Sequence, residues 1–264
     1  MAILAAITLI TLAAGLISTY VTGFTPDENH LAAKLTPPFT DGYVLGADGN
    51  GRDILTRLAF GGRVTLLVAT LATICTVTIG VPIGLIAGYV GGVTDATLMR
   101  LADIVFSIPT VPLLILISTI YAPNPVALAL VLAVVGWAAV ARLVRSETLS
   151  VRRRPYVEAA RVVGARPGRI VGRHVFPNLT PLVVVYASLA LPELILAEVA
   201  LSFLGLGVRP PTPSWGNMLG EAEGVYRLAP TNVLIPGATI FVTALALYLV
   251  GTGLRDALDP RLGD

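Results

Sequence analysis

Five stretches of this chain carry no charged side chain, and they decide what it can fold into. They run from Met1 to Pro26, Val64 to Thr94, Ile104 to Ala141, His174 to Pro192 and Leu228 to Leu254. A segment that crosses lipid must satisfy its backbone internally, as a helix of about 20 apolar residues does. The third stretch has 38 residues. At about 1.5 Å per residue it overruns a hydrocarbon core of about 30 Å. It must therefore turn back, and Ala122-Pro123-Asn124-Pro125 reads as the turn. The chain is 55% apolar and 13% charged, against about 25% charged in a soluble domain. So few charges cannot cover a soluble surface, which excludes a soluble enzyme, a disordered chain and a nucleic-acid binder. A single cysteine, Cys75, excludes an internal disulfide.

The expected fold class is an all-α integral membrane protein with six spans, at roughly 2–22, 64–90, 99–121, 125–144, 179–201 and 233–254. Pro82, Pro109, Pro112, Pro192 and Pro236 fall inside spans and predict kinks rather than breaks. The first run has no basic leader and no clear cleavage site, so it reads as a retained helix rather than a signal peptide.

Nine of the 18 Lys and Arg lie between Arg142 and Arg173, opposed there by Glu147 and Glu158 alone. A short loop so rich in Arg is expected in the cytosol. With six spans both termini are then cytosolic, with twelve basic residues inside and six outside. The expected location is the plasma (inner) membrane.

Several chemistries are missing. The only lysine is Lys34 and no G-x-x-x-x-G-K-[ST] occurs, so no P-loop is present. His30 and His174 fall on opposite sides of the membrane and cannot share a metal. Asp103, Glu193 and Glu198 are carboxylates within spans. Asp103 follows Arg100 by three residues, where a local ion pair is the simple reading. Glu193 and Glu198 point about 140° apart on a helix and form no dyad. They still keep open a stand-alone proton-coupled carrier.

The cytosolic loop is the most informative part. Pro155 suits a first helical turn, Glu158 complements its dipole, and Gly164 can end it. Pro167 can start the next helix. Val157, Ala160 and Gly164 make a small, smooth face. Such a helix suits either a partner's groove or packing against its own bundle. Gly80, Gly84 and Gly88 recur every four residues and predict close helix packing. Ser214 can cap a short helix, and Trp215 suits the membrane interface.

Glu158-Ala159-Ala160, then Gly164, then His174 with Phe176-Pro177 resembles the EAA loop of permease subunits of bacterial ABC importers. Arg173-His174-Val175-Phe176-Pro177-Asn178 resembles the dipeptide, oligopeptide and nickel branch, because other branches carry an aliphatic residue and Leu at 174 and 176. Three further segments are similar to that branch's C-type subunit. They are Leu45-Gly46 with Asp48 and Gly51 to Leu58, then Ala200 to Gly207 with Pro210 to Gly216, and Gly253 to Arg261.

This resemblance implies a type I ABC importer permease fold and no enzymatic activity. It implies a first helix and extracytoplasmic loop over 1–62, a transmembrane core over 63–256 with the EAA loop at 145–178, and a cytosolic tail over 257–264. Coupling to the ATPases falls to Glu158, Ala159, Ala160, Gly164, His174 and Pro177. Trp215, Glu193 and Glu198 are assigned to the outer gate or the binding-protein contact. The implied partners are a homologous permease subunit in a heterodimer, two cytosolic ATPase subunits, an extracytoplasmic binding protein and membrane lipid. No metal or cofactor is expected in this chain, since ATP and Mg would sit in the ATPases. The cargo would be peptides or a related small solute such as nickel chelates.

Overall fold

The computed structural model describes residues 22–121 and 124–258. The expected span at 2–22, most of the Ala122–Pro125 turn's apex and the tail beyond 258 lie outside the described residues. Among those described, regular structure is helical, with two isolated β-bridges, Thr40 to Tyr43 and Ala47 to Asp53.

The helices are α1 (Ile54–Val90), α2 (Gly92–Ser107), α3 (Thr110–Tyr121), α4 (Pro125–Val151), α5 (Pro155–Val162), α6 (Pro167–Ile170), α7 (Phe176–Phe203), α8 (Trp215–Ala222) and α9 (Thr231–Leu258). A five-residue π turn, Val171–Val175, joins α6 to α7. Four helical stretches are long and apolar enough to cross a membrane: α1, α4, α6 through α7, and α9.

The expected span at 99–121 is corrected. It is two helices, α2 and α3, bent by 88° at a short break. Ile108 is extended (φ −97°, ψ 127°) because the ring of Pro109 bars the helical region to the residue before it. Pro109 therefore breaks the helix, whereas Pro82 and Pro236 remain inside continuous helices. A second correction concerns Asp103, which pairs with Arg142 of α4 at 2.7 Å rather than with Arg100.

The chain divides into two compact units. The first contains 1–71, 114–131 and 191–246. Its loop before α1 is built around Asp48, whose Oδ1 accepts from the N–H groups of Asn50 (2.8 Å) and Arg52 (3.0 Å). Asp53 then caps α1 by accepting from Thr56 N–H at 2.7 Å. These three bonds give Asp48, Arg52 and Asp53 a physical reason for their spacing. Gly51 is left-handed (φ +77°) and lies against the His30 backbone, where a side chain has no room.

The second unit contains 72–113, 132–190 and 247–264. Its core joins Val81 and Leu85 of α1 to Val140, Val144 and Val151 of α4, and to Val157, Ile170, Val175 and Leu179. Gly80, Gly84 and Gly88 form the seam between α1 and α4. A methyl group at Gly80 would lie 2.5 Å from Val140 Cβ, and one at Gly88 would lie 2.6 Å from Thr148 Cβ. At Gly84 it would collide with the carbonyl of Ala141. The four-residue repeat thus serves close backbone approach. The pair Arg145 and Asp95, bound bidentately through Nε and Nη2 of the guanidinium, ties α4 to the first turn of α2.

Candidate functional site

α5 is eight residues long and begins with Pro155 at its first position. Its end is a Schellman turn: Gly164 N–H donates to Arg161 O and Ala165 N–H donates to Ala160 O, both at 3.0 Å. Gly164 adopts φ +85°, which favours glycine over any residue with a Cβ. Open space surrounds the position where its Cβ would stand. The need for glycine here is conformational and not steric.

Val157 is fully buried in the second unit's core, and Ala160 packs beside it. The Val157–Ala160 face expected to meet a partner is instead spent on the protein's own bundle. The reason is the apolar wall of Val144, Val151, Ile170 and Val175, which only that face can reach. The outward face carries Tyr156, Glu158, Ala159, Val162 and Val163. Val162 and Val163 are each 87% exposed. Two adjacent bare valines at the end of a helix pinned from behind form an apolar knob. Sequence reasoning missed them. An eight-residue helix with apolar residues at 157, 160, 162 and 163 offers two faces, and its period alone does not choose between them.

His174 is half-buried in the π turn, its ring 6.4 Å from that of Tyr156. Pro177 is exposed in the first turn of α7. It has no N–H for the carbonyl four residues back, so the chain widens ahead of it. Phe176 N–H bonds instead to Val171 O, and Asn178 Nδ2 donates to His174 O at 2.7 Å. His174 and Pro177 thus shape the return of the loop into α7, while Glu158, Ala159 and Gly164 stand on the exposed side.

The rim beside α5 is cationic. Arg152 Nη1 donates to the carbonyls of Gly88 (2.8 Å) and Tyr89 (3.3 Å) at the end of α1. Arg154 is 3.9 Å from Glu147. Arg153 and Arg161 have no ion-pair partner among the described residues.

The residues expected at an outer gate lie in the first unit and do not come together. Glu193 is exposed. Glu198 is completely buried and accepts from Ser202 Oγ at 2.6 Å, while that hydroxyl accepts from Val208 N–H. Trp215 is 5% exposed. Its indole N–H donates to Leu58 O at 2.9 Å, and its ring covers Gly61 and Gly62. Trp215 is therefore an internal brace, a correction to its placement at the membrane interface. Ser214 caps α8 as expected, in a reciprocal box with Asn217. Missed by sequence reasoning was the network in which Arg52 and Arg57 both bond Glu221, at 2.5 and 3.0 Å. It lines a cavity of about 300 Å³ with Asp48 and Asn232.

Comparison with known proteins adds to this geometry. The family described as binding-protein-dependent transport system inner membrane component matches residues 80–264. The oligopeptide transport system permease protein OppC of Haemophilus influenzae is 40% identical over 239 residues, covering 90% of this chain and 77% of that protein. The dipeptide transport system permease protein DppC of the same organism is 37% identical, covering 94% and 85%. The glutathione transport system permease protein GsiD of Pectobacterium atrosepticum is 39% identical, covering 83% and 72%. Among solved structures, a chain of the inward-facing MetNI methionine ABC transporter superposes with a TM-score of 0.65 at 20% identity, covering 77% of this chain and 96% of that one.

Proposed function

Because the chain belongs to the binding-protein-dependent transport system inner membrane components, we propose that α5 is the element through which a cytosolic ATPase drives it. Membership makes the chain a multi-pass permease subunit of an ATP-driven importer and not an enzyme. It also sets aside the stand-alone proton carrier. Glu193 and Glu198 argue against that carrier independently, one being exposed and the other sealed in a hydroxyl-bonded core.

The observation that carries the proposal is the division of labour on α5. Val157 locks the helix to the bundle, and Val162 and Val163 face outward with Glu158 and Ala159. A partner that grips the outward face moves the core behind it. The Schellman turn at Gly164 and the π turn before Pro177 keep that connection short. The nucleotide and its magnesium belong to the ATPases, a homologous permease completes the pathway, and an extracytoplasmic binding protein delivers the cargo. Peptides are the cargo class that the oligopeptide and dipeptide relatives favour.

The test joins docking to transport. Val162→Asp with Val163→Asp should release the ATPases during purification and abolish peptide uptake, with the permease still in the membrane. Retained ATPases and normal uptake would refute the proposal. Orientation has its own check in a Cys75→Ser background. A cysteine at Val163 should react with an impermeant thiol reagent only after permeabilisation, and one at Thr212 in intact cells. The reverse pattern refutes a cytosolic α5.

A further inference from the structure

Beside the apolar knob lies a cavity of about 400 Å³ lined by Tyr89, Arg152, Arg153, Glu158 and Arg161. Three guanidinium groups face one carboxylate there. The carbonyls of Gly88 and Tyr89 engage Arg152, and the negative end of a helix dipole is a natural seat for that charge. Nothing comparable engages Arg153 and Arg161, one following the end of α4 and one in the last turn of α5. The cavity is thus an acceptor-poor cationic cleft, fixed on one wall and open on the other.

An anion for this cleft has two macromolecular sources, a lipid headgroup or a protein carboxylate. Arg142 is the first charge on α4 after its apolar run, and Arg152 comes ten residues later. That spacing carries the cleft about 15 Å past the first charge, farther than the headgroup layer of about 5–8 Å reaches beyond the hydrocarbon. The paired Arg142 and Arg145 stand at that boundary; Arg153 and Arg161 stand beyond it. The cleft also shares Glu158 and Arg161 with α5 itself. Any protein seated on Val162 and Val163 therefore lies beside it.

We infer that this cleft receives an acidic side chain of the cytosolic ATPase subunit, with Arg153 and Arg161 as its ligands and Arg152 as the fixed wall. The inference rests on the reading of α5 as the docking helix. It separates two jobs on one surface: the valines supply contact area, and the arginines supply orientation and a charge-guided approach.

The experiment measures ATPase binding to the full permease complex in detergent at low and at high salt. Arg153→Gln with Arg161→Gln should weaken binding about tenfold at 0.05 M salt, because two unpaired cations are lost from a complementary pair of surfaces. At 1 M salt, where screening acts within about 3 Å, the difference should vanish. Arg153→Lys with Arg161→Lys should restore most of the low-salt affinity, since charge and not planar geometry is at stake. The Gln variant should keep the melting temperature of the parent, because both side chains are exposed.

An unchanged low-salt affinity and salt slope in the Gln variant, alongside lost binding in the Val162→Asp, Val163→Asp variant, would overturn this inference alone. Unchanged binding in the valine variant would overturn the docking-helix reading itself. A salt-independent loss in the Gln variant would also overturn the inference about the cleft, since the effect would not be electrostatic. So would loss of phosphatidylglycerol-vesicle binding with ATPase affinity intact, which assigns the cleft to lipid.

Discussion

Arg57 is 1% exposed and held between Glu221 and Asp48, whereas Arg153 is exposed and has no ion-pair partner among the described residues. The contrast extends to the units that contain them. The first unit has six basic and nine acidic residues, the second twelve and seven. In the first, charge is turned inward: Asp48, Arg52, Arg57 and Glu221 bind one another, and Glu198 is sealed under Ser202. In the second, Arg142 and Arg145 are neutralised by Asp103 and Asp95, while Arg153 and Arg161 are exposed and have no ion-pair partner among the described residues. A buried ion network fixes one arrangement of a loop, because any other leaves an uncompensated charge. An unspent surface charge stabilises little by itself and is free to meet a partner.

The sharpest way to break this comparison is Arg57→Met. It should cost about 3 kcal/mol, the low end for removing one partner of a buried pair, because partial exposure of Glu221 softens the loss. A fall of several degrees in the detergent melting temperature is expected, and a change within 1 °C would show the network to be ornamental. Next in size is Gly84→Leu. Its side chain collides with the Ala141 carbonyl in the second unit, and overpacking of this kind costs about 1–3 kcal/mol. Poor assembly or a lowered melting temperature should follow; normal behaviour in both would place the seam elsewhere.

Gly164→Arg should be smaller in stability, of order 1 kcal/mol for an L-residue held left-handed. It should still be large in uptake, because the added side chain stands beside Val163. Uptake at the parental rate would mean that the end of α5 has no part in docking. The smallest effect is expected from Glu158→Lys, an exposed reversal at a helix N-terminus. Uptake should fall less than in the Gly164 variant. Equal or greater loss would move the weight of the site from the turn to the carboxylate.

Much of this architecture was legible in the sequence, and the exceptions have physical causes. Gly164 and Pro167 announce a helix end and start because few residues suit those dihedrals. The glycine spacing at 80, 84 and 88 states a close approach without naming the neighbour, and α4 is known from its fold. Pro109 and Pro82 look alike in sequence. One breaks a helix, with the residue before it extended, and the other sits inside a continuous helix. Trp215 suited an interface by chemistry, yet Gly61 and Gly62, 154 and 153 residues away in sequence, leave a flat bed for its ring. The exposed valines were illegible because choosing between two apolar faces needs the wall behind one of them.

The π turn at Val171–Val175 holds one residue more than an α-helix of the same height requires. Such a surplus behaves like a dislocation in a crystal. Gliding along a helix, it would turn each residue it passes by about 100°. Pro177 blocks that glide toward α7, since a residue without an N–H cannot exchange one hydrogen-bond register for another. The defect is therefore pinned at the foot of α7. If α5 is the docking helix, as proposed, a pull on it would reach the long helix as translation and not as a twist lost along the way.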